Sequence, residues 1–264
     1  MDKLRKLQSI LKNMGSVLIA YSGGVDSTFL LKVAQDCLGE NVLAVTADSP
    51  TYPKEELNSA IMLAKEIGAR HKIIATLETK NINFILNPPN RCYFCKKELF
   101  SKLWGIAKEF KLNFICDATN VSDESDFRPG ARARKELKVR SPLEEAGLTK
   151  AEIRSFSKKL KLKTWDKPAL ACLASRIPYG IKIRPKVLQR VALAEAQIRR
   201  LGFKQVRVRH YNGLCRIEVD KKEIPILIKE SNSVVEKLRG LGYNYVTVDL
   251  EGYRTGSLNL ARRK

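Results

Sequence analysis

The chain has 264 residues, 44% of them hydrophobic, which is enough for one large domain or for a large and a small one. No run approaches about 18 consecutive apolar residues, so the sequence predicts neither a membrane-spanning helix nor a membrane partner. The formal net charge of +21 favours polyanionic ligands such as nucleotides, phosphorylated substrates or RNA, but a lysine-rich solvated surface fits it equally well. Residues 1–15 form an amphipathic pattern without the apolar stretch of a signal peptide, so we expect a cytoplasmic protein.

An apolar strand, a glycine turn and a helix start follow one another in residues 17–27, VLIAYSGGVDS. The N–H groups and the dipole of a helix start attract anions, and two glycines let a phosphate approach the backbone closely. Asp26 is unusual in an anion site, and it fits when a divalent cation such as Mg²⁺ accompanies the phosphates. The glycines alone would also fit an ordinary turn between a strand and a helix. The candidate phosphate-binding residues are Ser22, Gly23, Gly24, Val25, Asp26 and Ser27.

The first part of the chain alternates between apolar strands and amphipathic helices. This alternation predicts an α/β fold with a doubly wound, mostly parallel sheet whose strands are covered on both faces. The strand candidates are residues 17–21, 42–47, 72–76 and 113–118, with a short one near 138–140. The helix candidates are residues 2–13, 26–38, 54–68, 95–110, 130–137 and 149–161.

Polar strings follow the first, second and fourth predicted strands. The carboxyl ends of parallel strands meet at one edge of a sheet, so we expect these strings to converge on one site. Ser49 follows the second strand, where it could contact the ribose or the base of a nucleotide. Asn120 and Arg128, after the fourth strand, could reach phosphates or a metal. Ordinary turn chemistry is the alternative for each of these residues.

The periodicity breaks at residues 164–185, which contain three prolines and read as an ordered connecting loop. We place a domain boundary near residue 180, giving a main domain at 1–180 and a smaller α+β domain at 181–264. The elements predicted for the smaller domain are a helix at 186–201, strands at 205–209 and 214–219, helical stretches at 221–229 and 232–240, and a strand at 244–250.

Three cysteines suggest metal or redox chemistry. Cys92 and Cys95 form a C-x2-C pair, whose spacing puts both sulfur atoms on one helical face. With Cys172 in the proline-bounded loop, the pair could hold three irons of a [4Fe–4S] cluster and leave the fourth iron open. A redox pair with an unrelated Cys172, or a zinc site completed by Cys116, would also fit. The cysteines expected to be structural are Cys37, Cys116 and Cys215.

Arginines alternate with valines in the string VRVRH of the smaller domain. The period of a strand puts Arg207 and Arg209 on one face, where two guanidinium groups suit a phosphate. Glu218 shares a face of the next strand with Arg216, and Glu195 projects from the preceding helix. The residues alone favour a solvated sheet face with weak ion pairs.

The string SGGVDS resembles the PP-loop of the ATP pyrophosphatase superfamily; the lysine of the GxxxxGK[ST] loop is missing from it. PP-loop enzymes bind ATP there, split it between the α- and β-phosphates, and adenylylate an acceptor. Together with the strings TN…DFRPG, PALACLASRIP, VRVRH and GYRTGSLN, the loop resembles the LarE family over nearly the whole chain. LarE proteins are ATP-dependent sulfur transferases that help to make the nickel-pincer cofactor of lactate racemase.

The resemblance implies adenylylation of a carboxylate on pyridinium-3,5-dicarboxylate mononucleotide, release of pyrophosphate, and conversion of the adenylate to a thiocarboxylate. It implies ATP, Mg²⁺, a sulfide donor and a homo-oligomer. Some family members sacrifice one loop cysteine, whereas others use three cysteines to hold a [4Fe–4S] cluster, and this chain resembles the cluster type. The roles carried over are cluster ligands for Cys92, Cys95 and Cys172; catalysis for Cys172, Asp26 and Arg176; substrate phosphate binding for Arg207 and Arg209; and divalent metal binding or arginine pairing for Glu195 and Glu218.

Two other functions remain open at the level of the sequence. A tRNA thiolase shares the PP-loop, can use a three-cysteine cluster and fits the positive charge, although such enzymes commonly carry further zinc-binding C-x2-C pairs. A nucleotide-binding regulator without turnover would need no sulfur site, and the three cysteines argue against it.

Overall fold

The computed structural model describes residues 3–123, 129–168, 171–254 and 256–258. These residues form two compact units. The first unit contains the described residues of 1–84 and 89–170, and the second contains 85–88 and the described residues of 171–264. The functional boundary near residue 180 stays a prediction. No helix in the described ranges is both long and apolar enough to cross a membrane.

Regular elements of the first unit follow the predicted alternation closely. Its strands are β1 (Val17–Ala20), β2 (Val42–Asp48), β3 (Arg70–Ala75) and β4 (Phe114–Cys116). The helices up to the end of this unit are α1 (Lys3–Met14), α2 (Val25–Leu38), α3 (Lys54–Ile67), α4 (Ile82–Ile85), α5 (Arg91–Glu109), α6 (Gly130–Glu136), α7 (Pro142–Glu145) and α8 (Lys150–Lys159). Short 3-10 turns lie at Gly39–Asn41, Glu78–Lys80 and Val121–Asp123.

The four strands form a parallel sheet in the order β3-β2-β1-β4, which confirms the predicted α/β fold. Val17 pairs with Val42 on one side and Phe114 on the other, so β1 is central. The chain order of the strands reverses beside β1. The loop that follows β1 therefore leaves the sheet at the kind of crevice where α/β proteins bind ligands.

Alternate residues of β1 enter two different hydrophobic clusters. Val17 and Ile19 pack with Phe29 of α2, whereas Leu18 packs with Phe100 of α5. All five side chains are fully buried. Helices covering both faces explain why the strand is continuously apolar rather than alternating.

Two predicted elements differ in the structure. The short strand expected near 138–140 is a single parallel bridge between Cys116 and Arg140. The helix expected at 95–110 begins at Arg91, because the Tyr93 N–H group already donates to the Asn90 carbonyl at 2.9 Å. The C-x2-C pair therefore lies within the first two turns of α5.

The second unit is a small α+β structure, as predicted. Its sheet has the order β5-β6-β7, with β5 and β6 antiparallel and β6 and β7 parallel. Val206 and Val208 are fully buried in a core with Ile198, Ile217 and Leu238. Its elements are α9 (Pro185–Arg200), β5 (Arg207–Tyr211), β6 (Leu214–Glu218), α10 (Ile224–Lys229), α11 (Ser231–Gly240) and β7 (Tyr245–Val248), with 3-10 turns at Leu173–Arg176 and Lys221–Glu223.

Candidate functional site

The turn after β1 requires glycine at one position. Gly23 has φ +61°, and a Cβ atom there would lie 2.9 Å from the Cβ atom of Ala60 on α3. Gly24 caps α2 in an extended conformation that other residues can adopt. The close packing of Gly23 on α3 brings the turn backbone to the amino end of α2, where N–H groups favour an anion.

Two serines close this turn. The Ser22 hydroxyl lies 3.1 Å from the Ser27 hydroxyl, which also accepts a hydrogen bond of 3.3 Å from the Ser22 N–H group. The Ser27 hydroxyl donates to the Gly24 carbonyl at 3.3 Å. The predicted loop residues are therefore brought together as one structure, which we call the 22–27 loop.

Asp26 lies in the first turn of α2 and is partly exposed. Its carboxylate forms an ion pair with Lys150, the first residue of α8, and accepts a hydrogen bond of 3.4 Å from the Asn120 amide. The structure thus brings two predicted residues, Asp26 and Asn120, into contact. Lys150 was missed by the sequence analysis.

Lys167 is a second lysine at this loop that the sequence analysis missed. Its ammonium group donates to the Gly23 carbonyl at 3.2 Å and pairs with Glu56 at 2.7 Å. Lys167 is 144 positions from Gly23, and Lys150 is 124 positions from Asp26. The Thr149–Glu152 capping box marks the start of α8 in the sequence, but no local pattern indicates either contact.

Ser49 is buried and is held by other side chains. Its hydroxyl donates to the Glu78 carboxylate, which also accepts a hydrogen bond of 3.0 Å from the Thr51 hydroxyl. Tyr52 then donates its hydroxyl to the Ser22 carbonyl, and burial raises the pKa of this phenol. These contacts tie the turn after β2 to the 22–27 loop. A role for Ser49 in ATP binding stays a prediction.

Asn120 is buried beside the carboxyl end of β4. The side-chain oxygen of Asn120 accepts a hydrogen bond of 3.0 Å from the backbone N–H group of Ser122. The backbone N–H group of Asn120 donates to the carboxylate of Asp123 at 3.2 Å. These bonds fix the amide that meets Asp26. Arg128, the other predicted ligand on this segment, lies outside the described residues.

In the second unit, Arg176 is 1% exposed. Its guanidinium group donates to both oxygens of Glu195, at 2.8 and 3.1 Å. The remaining terminal nitrogen donates to the carbonyls of Ala171 and Cys172 and to the Ser175 hydroxyl. In this conformation Arg176 holds the loop that carries Cys172, and its contact with a substrate stays a prediction.

Arg209 and Glu218 form a second buried pair. The guanidinium group donates to both carboxylate oxygens at 2.9 and 2.5 Å, to the Ser175 carbonyl at 3.0 Å and to the Ser257 hydroxyl at 2.8 Å. Arg216 also donates to Glu218 at 3.1 Å. The 171–176 loop is therefore fastened to β5 by Arg209 as well as to α9 by Arg176.

Arg207 is buried above the ring of Tyr253, 5.2 Å from its centroid. Burial and the positive charge of Arg176 lower the pKa of Arg207 to about 10. The solvated sheet face that the residues alone favoured is therefore wrong, because Arg207 and Arg209 are only 4% and 5% exposed. The cause is the packing of the 171–176 loop against β5, which strand periodicity does not reveal.

Glu195 and Glu218 are arginine partners in this structure. Burial alone would raise the pKa of Glu195, but the charge of Arg176 outweighs it and holds that pKa below its usual value. Across the described ranges, no group of three or more His, Cys, Asp or Glu side chains lies close enough together to hold a metal ion. Metal binding by the two glutamates stays a prediction.

The six cysteines differ in exposure. Cys92 and Cys172 are exposed and Cys95 is half-buried. Burial raises the pKa of the other three thiols, and that of Cys215 reaches about 12. Cys116 and Cys215 are buried, as expected for structural cysteines, whereas Cys37 is only half-buried.

Comparison with known proteins identifies the family. Residues 4–86 match the model of the family described as NAD synthase. The chain is 46% identical over 260 residues to the uncharacterised protein slr1717 of Synechocystis, covering 98% of this chain and 97% of that protein. It is 38% identical over 258 residues to the pyridinium-3,5-bisthiocarboxylic acid mononucleotide synthase of Lactiplantibacillus plantarum, covering 97% of this chain and 94% of the synthase.

The chain belongs to the LarE family. LarE membership and the NAD synthase match together support an ATP-using enzyme of the PP-loop superfamily. The match at residues 4–86 includes the whole 22–27 loop, whereas the similarity to the synthase extends through both units. The LarE resemblance predicted from the sequence motifs is thereby confirmed.

Proposed function

We propose that this LarE protein is an ATP-dependent sulfur transferase that acts on pyridinium-3,5-dicarboxylate mononucleotide in nickel-pincer cofactor synthesis. It adenylylates one substrate carboxylate and converts it to a thiocarboxylate. The observation that carries the proposal is the near full-length similarity to the Lactiplantibacillus plantarum synthase. The 22–27 loop and the buried arginines of the second unit supply the chemistry that such a reaction needs.

The 22–27 loop activates the substrate. A carboxylate oxygen attacks the α-phosphorus of ATP, the bond between the α-phosphorus and the bridging oxygen breaks, and pyrophosphate leaves. The loop N–H groups stabilise the negative charge that develops on the leaving group. Asp26, with Asn120 beside it, is the residue that would hold Mg²⁺, which supplies further charge neutralisation when bound.

Buried arginines of the second unit bind the substrate phosphate. Three of them, Arg176, Arg207 and Arg209, face two buried carboxylates, Glu195 and Glu218, which leaves an excess of one positive charge. A buried excess charge favours an anionic partner over water. Burial and the positive charge of Arg176 lower the pKa of Arg207, and an anion bound beside its guanidinium group would offset both effects.

Cys92, Cys95 and Cys172 hold the sulfur source. Thiolates are the ordinary ligands of iron–sulfur clusters, and these three side chains are not buried in either hydrophobic core, which fits the donor set. A [4Fe–4S] cluster with one iron left unligated by protein would supply a sulfide. Attack of sulfide on the acyl carbon breaks the bond to the AMP oxygen, so AMP leaves and a thiocarboxylate remains.

The test compares two substrates. Anaerobically reconstituted protein is incubated with ATP, sulfide and either the pyridinium dicarboxylate nucleotide or bulk tRNA, while pyrophosphate is measured. We expect release with the nucleotide, together with a thiocarboxylate product by mass spectrometry. Release only with tRNA would instead establish a tRNA thiolase, the function that the +21 charge leaves open.

A further inference from the structure

Asn87 lies in residues 85–88, the short segment that belongs to the second unit, and it is fully buried. Its amide nitrogen donates to the carbonyls of Pro178 and Ile181 at 2.7 and 2.9 Å, and to that of Ile177 at 3.3 Å. One side chain therefore holds three neighbouring backbone carbonyls. We call these contacts the Asn87 staple.

Backbone hydrogen bonds join the same two segments. The Gly180 N–H group donates to the Asn87 carbonyl at 3.1 Å, and the Ile183 N–H group donates to the Ile85 carbonyl at 2.8 Å. Asn87 has φ +54°, a left-handed conformation that asparagine adopts more readily than most other residues. Its carbonyl and its side chain both meet residues 177–183 in this conformation.

Cys92 is connected to the staple by a short link. It lies five positions after Asn87, and five residues span at most about 18 Å even when fully extended. Pro88 and Pro89 lie within this link, and their rings fix φ, so few conformations are open to it. The position of Asn87 therefore limits where Cys92 can lie.

Cys172 is connected to the staple from the other side. It lies five positions before Ile177, and the 3-10 turn Leu173–Arg176 fills the interval. The Cys172 carbonyl accepts hydrogen bonds from the Ser175 N–H group at 2.8 Å and from the buried Arg176 guanidinium group at 3.2 Å. Two cysteines that are 80 positions apart in the chain thus share one anchor.

We propose that Asn87 is a positioning residue for the proposed cluster ligands. Its staple fastens the segment that leads to Cys92 and Cys95 to the segment that follows Cys172. Without the amide, three carbonyls would lose a donor, which disfavours the observed conformation of residues 177–183. The two cysteine-bearing segments would then move independently. This inference rests on the role proposed above for the three cysteines.

The test replaces Asn87 with glycine, which adopts a positive φ without strain, so that the amide is the group removed. Asn212→Gly is the matched control, because Asn212 has φ +55° and is exposed in the turn between β5 and β6. Urea denaturation of both variants establishes that they are folded under the assay conditions. If Asn87→Gly does not fold, Asn87→Ser, which keeps one donor, takes its place.

The first measurement uses the full chain without iron and a series of bismaleimides of increasing length. Peptide mass spectrometry gives the rate at which Cys92 and Cys172 become joined within one chain. We expect Asn87→Gly to slow this reaction by about fivefold, because a looser connection lowers the effective concentration of one thiol near the other. Asn212→Gly should match the wild type.

The second measurement uses the reconstituted protein. A chelator is added, and the loss of iron from each folded variant is timed. We expect Asn87→Gly to lose iron about tenfold faster than the wild type and Asn212→Gly, because groups that orient metal ligands commonly change metal affinity by about 10–100-fold.

The inference would be overturned if Asn87→Gly matched the wild type in both measurements. It would also be overturned if no bismaleimide joined Cys92 to Cys172 in the wild type, even with sulfur transfer intact. Failure of the proposed function gives a different result. A wild-type chain that binds zinc and no iron would refute the cluster, whereas cross-linking that depends on Asn87 would preserve the positioning role.

Discussion

Arg176 and Glu195 form a bidentate pair in which each side chain is only 1% exposed. The same carboxylate accepts a hydrogen bond of 3.1 Å from the Val208 N–H group of β5. One glutamate on α9 therefore joins the loop that carries Cys172 to the small sheet. Its removal should loosen the loop and leave a buried charge unpaired.

Glu195→Ala should lower the free energy of unfolding by about 3–5 kcal/mol, because the Arg176 guanidinium would stay buried without its partner. Urea denaturation at neutral pH measures this loss. Glu251→Ala is the control, since Glu251 is 67% exposed in its pair with Arg254 and should change stability by no more than about 0.5 kcal/mol. Similar small losses in both variants would contradict the buried pairing.

The dependence of folding stability on pH should also reveal the pairing of Glu195 with Arg176. The pKa of Glu195 lies below its ordinary value of 4.5 in the folded chain, because the attraction of Arg176 exceeds the effect of burial. As the pH falls below about 4.5, Glu195 takes up a proton in the unfolded chain before it does so in the folded chain. The stabilisation of the folded chain by Glu195 is therefore present above that pH and lost below it. Urea denaturation of the wild type and of Glu195→Gln should be measured between pH 3 and 6, a range that extends about one unit or more to either side of ordinary Glu pKa values. As the pH falls, the free energy of unfolding of Glu195→Gln should decrease less steeply than that of the wild type. An identical slope would refute this account.

Gly23→Ala should cost about 1–3 kcal/mol of unfolding free energy, because alanine strains a backbone with φ +61° and its Cβ would collide with Ala60. It should also weaken ATP binding by displacing the 22–27 loop. Gly24→Ala is the matched control for stability; its Cβ would lie 3.4 Å from the Ser22 hydroxyl oxygen and its backbone is extended. Denaturation of both variants tests the difference, and equal losses of unfolding free energy would argue against the packing of Gly23.

Much of the first unit was predictable because its signals are local. The apolar runs and the amphipathic helices indicate β1, β2 and α2, and the SGGVDS string indicates the loop between a strand and a helix. The convergence of Asp26 and Asn120 followed from the rule that parallel strands end at one edge of a sheet.

Contacts between distant residues were not predictable. Lys150 and Lys167 reach the loop from far along the chain, and Glu78 holds Ser49 through a 3-10 turn that no pattern indicates. The burial of Arg207 was missed for the same reason. Strand period two gives the face on which a side chain lies, but not whether another segment covers that face.

Thiol alkylation should distinguish the exposed cysteines from the buried ones. In the protein without iron, iodoacetamide should label Cys92 and Cys172 first, because they are exposed, whereas burial and a raised pKa protect Cys116 and Cys215. After anaerobic reconstitution with iron and sulfide, labelling of Cys92 and Cys172 should fall sharply. Peptide mass spectrometry gives the labelled fraction of each site. Iron binding without protection of these two thiols would contradict their role as cluster ligands.

The most direct test of sulfur transfer is a stoichiometric turnover. Reconstituted protein is supplied with ATP, labelled sulfide and pyridinium-3,5-dicarboxylate mononucleotide, and pyrophosphate and product are measured together. We expect one pyrophosphate for each thiocarboxylate from the wild type, with the labelled sulfur in the product. The Cys172→Ala variant should form no thiocarboxylate, although its 22–27 loop still adenylylates the substrate and releases pyrophosphate in that step. Pyrophosphate release by the wild type without any sulfur in the product, or thiocarboxylate formation without ATP, would contradict the account.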